Sequence, residues 1–174
     1  GRGTYARDGG GVLISQAIHT LDLMINLVGQ VDEVQAIAKT TSFHKMESED
    51  FVGAGLKFKN GAVGSLMAST SSCPGYPESI ILNCEKGSVK IESGTLKINW
   101  QTNELEEFGE TSGTGGSADP MAFPYDWHKN LIKNFALSIN DNQSNYVSGK
   151  EALLVHGLID ALITSSNNGK MVKV

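Results

Sequence analysis

The sequence predicts an α+β domain: a large mixed, mostly antiparallel sheet covered on one face by helices, with the other face an oligomer interface. Three observations predict it. Short segments of period-two alternation fill residues 31–108, joined by turns too short for parallel crossovers. Three stretches of helical spacing lie outside that run. Segments 62–72 and 79–84 carry apolar or small residues on both faces, with Ile80, Ile81 and Leu82 consecutive. All 174 residues read as a single domain, long enough to bury roughly 70% of its unfolded-chain surface.

The chain opens on Gly1 with no hydrophobic strand, so it reads as a piece of a longer protein starting in a loop. Arg2, Arg7 and Asp8 read as solvated surface, with Arg7 as the group that could instead reach an anionic ligand. Gly9, Gly10 and Gly11 hand over to a helix at 12–28, which Gly29 stops. The glycine run is either a tight turn packed on its neighbours or an amide-lined cradle for a phosphate or carboxylate. It is not G-x-G-x-x-G and no strand precedes it, so it is not a dinucleotide fingerprint.

In the helix, Ala17, Leu21, Met24 and Val28 repeat at helical spacing. Ile14, Ile18 and Ile25 widen the apolar arc, so most of the helix is expected to be buried. At 100° per residue, Ser15, His19, Asp22 and Asn26 fall within about 60° of one another as one polar stripe. Such a stripe is either a solvated face or a site.

Val31 begins alternation through Val34, Ala36, Ala38 and Thr40. Residues 43–50, FHKMESED, read as a polar loop with His44 facing solvent. Asn60-Gly61 between two alternating segments reads as a two-residue type I′ hairpin joining 51–59 to 62–72. The run Cys73-Pro74-Gly75-Tyr76-Pro77 breaks the ladder. Strands follow at 79–84, 88–92, 95–100 and 104–108, with turns at Lys86-Gly87, Ser93-Gly94 and Thr102-Asn103. Residues 109–120 form a Gly/Ser/Thr-rich loop with no nucleotide role.

Two helices close the chain. The first carries an apolar stripe of Trp127, Leu131, Ile132, Phe135 and Ile139, and ends at Asn140-Asp141-Asn142. His128 on it reads as polar surface or packing. The second opens on a Ser148–Glu151 capping box. Its core face is Leu158, Ile159, Leu162 and Ile163, and His156 reads as structural. Met171–Val174 adds a last strand.

Composition narrows the function. The net charge is −5 and the pI about 5.3, which argues against nucleic acid and against an anionic membrane surface. No apolar run approaches the ~18 residues of a bilayer span. Cys73 and Cys84 have no metal-ligand spacing and read as free thiols in a reducing, cytoplasmic compartment, with no metal site.

At this point the residues match a family. GGGVLISQAIHTLDL followed by a Gly-terminated helix resembles the start of the C-terminal domain of the Gfo/Idh/MocA oxidoreductases, among them glucose–fructose oxidoreductase and inositol dehydrogenase. The NG hairpin, the EKGS turn, DWHKNLIKNFALSI and SGKEALLVHGLIDALITSS are similar to that domain's later landmarks.

The resemblance implies the substrate-binding half of an oxidoreductase acting on a sugar, polyol or nucleotide-sugar hydroxyl. It implies NAD or NADP, bound mainly by an N-terminal Rossmann domain that carries a Glu-Lys-Pro motif. Neither that tripeptide nor the glycine fingerprint occurs here, so the chain alone is expected to be inactive. It implies a homo-oligomer, a dimer or tetramer through the sheet face. His19 matches the family's motif histidine, the group that assists proton transfer. An imidazole suits that task, because its ordinary pKa of about 6.5 lies near neutrality.

The resemblance also places Ser15, Gln16, Asp22, Gly10 and Gly11 beside substrate or cofactor. Many sugar dehydrogenases of the family have Asp where Ser15 stands. The neutral residue followed by Gln is similar to relatives acting on nucleotide sugars. Two alternatives stay open: a non-catalytic oligomerisation or ligand-sensing module, and an NAD-dependent glycosidase of the same family.

Overall fold

The computed structural model describes residues 3–109, 125–141 and 149–174. The loop expected at 110–120, and Asn142 and Ser148 of the expected helix ends, lie outside the described residues. The chain divides into two compact units, Gly1–Cys73 with Lys150–Val174, and Pro74–Gly149.

The first unit holds a short helix α1 (Tyr5–Asp8), a π turn (Leu13–Ala17) running into α2 (Ile18–Val28), strands β1 (Val31–Lys39), β2 (Phe51–Phe58) and β3 (Val63–Ser69), helix α4 (Gly149–Asn168) and β8 (Val172–Lys173). Its sheet has the order β3-β2-β1-β8, and every pairing is antiparallel. The second unit holds β4 (Ser79–Cys84), β5 (Gly87–Glu92), β6 (Thr95–Trp100) and β7 (Leu105–Phe108) as an antiparallel meander in chain order, and helix α3 (Asp126–Asp141).

The α+β class stands. The strands form two four-stranded sheets rather than the single large mixed sheet expected, and each is wholly antiparallel. The reason lies between β3 and β4. Pro74 and Pro77 have no N–H to give a ladder, and no pairing continues across them.

The core of the first unit follows the pleat. Val34 and Ala36 of β1, and Val52, Leu56 and Phe58 of β2, turn to one face. There they meet Leu21 and Ile25 of α2 and Val155, Leu158, Ile159 and Leu162 of α4. The opposite face leaves Ile37, Val63 and Met67 exposed. Burying each core side chain contributes roughly 1.5–3 kcal/mol. In α3, Leu131, Ile132, Phe135 and Ile139 stay exposed rather than buried as the expected core-facing stripe. The Trp127 side chain lies outside the description.

Tyr5–Val28 is long and apolar enough, by length and composition alone, to cross a bilayer. That corrects the expectation that nothing nears such a length. The stretch is broken after Asp8, where Gly9 takes φ 79°, and Leu13, Ala17, Leu21 and Ile25 are packed in the core.

The turns refine the reading. At the Asn60-Gly61 hairpin the Gly61 N–H bonds the Phe58 carbonyl at 3.0 Å and the Phe58 N–H bonds the Ala62 carbonyl at 2.9 Å. Only Gly61 takes a positive φ, 91°. This is a three-residue loop ending in a left-handed glycine, not the two-residue type I′ turn expected. Asn60 is occupied elsewhere. Its Nδ2 donates to the Val28 carbonyl at 2.7 Å, capping α2, while its Oδ1 accepts from the Ala62 N–H. The positive pair that a type I′ turn needs occurs instead at Ser93 (φ 51°) and Gly94 (φ 82°).

The free edge of β1 is closed by side chains. Beside Glu33 and Val34 it pairs with β8. Farther along, the Ala36 N–H donates to Ser165 Oγ at 3.0 Å and the Ala38 N–H to Ser166 Oγ at 2.8 Å. Ser165 is fully buried and its hydroxyl donates a hydrogen bond to the Lys170 carbonyl at 2.6 Å.

The β1–β2 connection is the other polar anchor. Asp50 is fully buried. Its Oδ1 accepts the Thr41 N–H, and its Oδ2 accepts the Thr41 hydroxyl and His44 Nδ1, each at 2.7 Å. A carboxylate only accepts, so the His44 proton sits on Nδ1. Burial pushes the Asp50 carboxyl up. The Thr41 hydroxyl and N–H and the His44 ring outweigh it and hold the group below the usual carboxylate range.

Two outcomes follow. Ser165→Ala leaves the buried Ala36 N–H and the Lys170 carbonyl without that partner and should cost about 1–3 kcal/mol in urea unfolding. Because Asp50 titrates lower folded than unfolded, its contribution is complete above the ordinary Asp value of about 3.9 and is lost as pH falls through the folded value. Thermal unfolding followed against pH should therefore show a shallower acid decline in Asp50→Asn than in the parent.

Candidate functional site

The stretch that carries the expected site is built from three pieces. The chain turns at Gly9–Gly11, passes through the π turn at Leu13–Ala17, and continues as α2. Four residues of α-helix overshoot a revolution by about 40°. A π turn needs more residues per revolution, which draws Ser15 closer into line above His19 than a plain α-helix would.

Ser15, Gln16, His19, Asp22 and Asn26 are all exposed on this helix. Leu23 and Leu27 share the open surface, at 42% and 46%, so the helix is less buried than its composition suggested. Among the described residues the His19 ring has neither a hydrogen bond nor an ion pair. Asp22, one turn on, does not bond it, and the Asp22 carbonyl instead accepts the Asn26 side-chain amide at 2.9 Å. The Ser15 hydroxyl donates to the Gly11 carbonyl at 2.7 Å, which leaves its oxygen able to accept.

Gly10 and Gly11 are buried and do not face an open site. Three successive amides of this turn end on one residue. The Gly11 N–H donates to Glu49 Oε2 at 3.2 Å, the Val12 N–H to the Glu49 carbonyl at 2.8 Å, and the Leu13 N–H to Glu49 Oε1 at 3.1 Å. Of the two readings of the glycine run, the structure gives close packing, and the carboxylate in the cradle is the protein's own. A Cβ on Gly11 would lie 1.8 Å from the Glu49 carbonyl oxygen, so only glycine fits.

Sequence reasoning missed Ser48-Glu49-Asp50, which lay inside the expected polar loop. All three are buried, and Ser48 Oγ has no hydrogen-bond partner among the described residues. The one local signal was two adjacent acids directly before an apolar strand. His44, expected to face solvent, is partly exposed and bonded to Asp50. Arg7 pairs with its neighbour Asp8 at 3.2 Å. Hydrogen bonds from the Thr4 N–H and from Arg7 lead in holding the Asp8 carboxyl well below the usual range; burial pushes the other way, and the Gly3 N–H and Thr4 hydroxyl add to the lowering. His128 and His156 are exposed.

No set of three or more His, Cys, Asp or Glu side chains gathers as metal ligands among the described residues. Cys73 and Cys84 are free thiols. A shallow groove of about 580 Å³ on the first sheet is lined in part by Gln35, Ile37, Gly53 and Gly55. It contains none of the expected site residues.

Residues 1–90 match the family model of the GFO/IDH/MocA C-terminal domain. No curated protein matches the chain. Among solved structures, the chain is similar to the WlbA dehydrogenase from Bordetella pertussis in complex with NADH and UDP-GlcNAcA. The identity is 26% and the TM-score 0.74, over 99% of this chain and 49% of that one. The WlbA enzyme from Chromobacterium violaceum, with the same two ligands, is 26% identical with a TM-score of 0.75, over 99% and 48%. A levoglucosan dehydrogenase in complex with NADH and levoglucosan shares the fold at 20% identity and a TM-score of 0.77, over 98% and 52%. The chain thus spans about half the length of these relatives.

Proposed function

The chain belongs to the GFO/IDH/MocA family, and from that premise we propose that it is the substrate-binding and oligomerisation domain of an NAD- or NADP-dependent oxidoreductase. Its substrate is a hydroxyl of a sugar, polyol or nucleotide sugar. The observation that carries the reading is His19, an imidazole presented on an open helix face beside Ser15 and Gln16 with no bond to any described residue. The two relatives at 26% identity were both solved with NADH and a nucleotide sugar, which supports the substrate class.

The chemistry asks for two departures from one alcohol, a hydride from carbon and a proton from oxygen. A bound nicotinamide supplies the two-electron acceptor. His19 accepts the proton, which lowers the cost of building alkoxide character on the oxygen. Ser15 accepts or relays a hydrogen bond through the lone pairs that its bond to Gly11 leaves open. Gln16 offers an amide NH₂ as donor and a carbonyl oxygen as acceptor to orient a hydroxyl or carboxamide. Asp22 lies one turn further along the same face as a neighbouring charge.

In this reading these side chains are the described residues that meet the nicotinamide end of the cofactor. The amides of Gly11, Val12 and Leu13 are committed to Glu49 and Gly10 is buried, so this turn shapes the site without holding a phosphate. The cofactor is therefore held mainly by other parts of the full-length protein, and the free thiols Cys73 and Cys84 suit a reducing, cytoplasmic setting.

A second reading, an assembly module without catalysis, is favoured by one observation. The open face of the first sheet exposes Ile37 at 64%, Val63 at 78% and Met67 at 79%. Pairing of copies through that face fits either reading, and only the loss of catalysis separates them.

In the full-length protein, His19→Ala should lower kcat by about 10²–10⁴-fold while leaving the unfolding midpoint near that of the parent, because the side chain is exposed. Unchanged turnover over a panel of sugar and nucleotide-sugar substrates would refute the assignment. The 174-residue chain alone should bind NAD or NADP weakly. A calorimetric dissociation constant on the order of 1 μM or tighter would contradict the limited share given to it here.

A further inference from the structure

We propose that Glu49 is a positioning residue for the reaction: it sets the Gly9–Ala17 turn and through it the placement of Ser15, Gln16 and His19. The inference rests on the reading of His19 as the proton acceptor, and goes beyond it to the group that aims the helix.

The first amides of a helix have no partner inside the helix and carry partial positive charge. They are ordinarily met by a nearby cap or by solvent. Here the partner comes from 38 and 36 residues away in sequence and is buried, with 5% exposure. Both carboxylate oxygens and the main-chain carbonyl are used, one on each of three consecutive amides. A charged acceptor in such a place makes hydrogen bonds roughly twice as strong as a neutral one.

The contact is also steric. Gly11 lies so close to Glu49 that a methyl group between them is impossible, and the turn is packed directly on the Glu49 backbone. The peptide of Gly11 is held at both ends. Its N–H goes to Glu49, and its carbonyl takes both the Ser15 hydroxyl at 2.7 Å and the Ser15 N–H at 3.0 Å. Ser15 is one turn before His19. On the other side, Glu49 is flanked by Asp50, whose N–H bonds the Lys39 carbonyl and whose carbonyl accepts the Thr70 N–H. A continuous path thus runs from the ends of β1 and β3 through Asp50, Glu49 and Gly11 to Ser15.

Glu49→Gln tests this because it conserves size. The amide keeps one acceptor and turns an NH₂ toward the other backbone N–H, so one of the two side-chain bonds is lost. In the full-length protein kcat should fall about 10- to 100-fold, the scale of a misplacement near 1 Å, with a smaller change in KM. Hydrogen exchange at Gly11–Leu13 should speed up while exchange in β1 and β2 stays as in the parent. A purely structural role would lower the unfolding midpoint and leave kcat unchanged, and that result overturns the proposal. Should Glu49→Gln fail to fold, exchange in the unaltered protein decides: slow exchange at the three amides supports the assignment, and exchange as fast as at an uncapped helix start overturns it. The two readings separate cleanly. If His19→Ala leaves turnover intact, the functional reading fails. If His19→Ala abolishes turnover and Glu49→Gln does not touch kcat, only the positioning role fails.

Discussion

The bonds between Glu49 and the start of the π turn are the constraint on which the first unit depends. They solve two problems together. A helix beginning against the core leaves amides that water cannot reach, and an acid buried in a strand connection has lost its hydration. Each is costly alone, and each satisfies the other at distances of 2.8–3.2 Å. The solution demands a backbone approach that only glycine allows, which explains Gly11 without appeal to a ligand.

The same economy recurs around the sheet. Asp50, next in sequence, is buried among donors from Thr41 and His44. The hairpin tip reaches across to the last turn of α2, where Asn60 meets the Val28 carbonyl and the Lys59 N–H meets the Gln30 carbonyl. Helix α2 is therefore held at its beginning by the β1–β2 connection and at its end by the β2–β3 hairpin. Between those fixtures its apolar side is packed by Leu21 and Ile25, and its polar side, with His19, is left open. His19 thus stands on a helix held at both ends, while its ring bonds none of the described residues.

Much of this was legible in sequence and some was not. Period-two alternation placed β1 through β7 within a few residues, and the glycine stop at Gly29 and the core face of α4 were read from spacing alone. Those signals are local. The misses are where a distant residue decides a local form. Asn60-Gly61 looked like a type I′ turn until the Asn60 side chain found the end of α2 and its φ stayed negative. FHKMESED looked like solvated loop because charge normally implies exposure, yet Glu49 and Asp50 are buried by partners that no short-range pattern encodes. The division into two sheets was foreshadowed by Pro74 and Pro77, read as a ladder break but not followed to its end. Of the site, Ser15, His19, Asp22 and Asn26, the stripe read from spacing, are all exposed, while the Gly11 amide is already taken by Glu49.

The two serines at the end of α4 have a bearing on how this protein can meet others. An outer strand is ordinarily an invitation, a row of unanswered amides to which any extended chain may be added. Along β1 the row is answered by β8 for two residues and then by the hydroxyls of Ser165 and Ser166. Ser166 also returns a bond to the Ala38 carbonyl. A foreign strand would have to evict both hydroxyls before gaining its first rung. The fold thus closes one margin to templated growth with side chains in place of a full-length strand, and leaves stacking, not lateral extension, as the way in on that side.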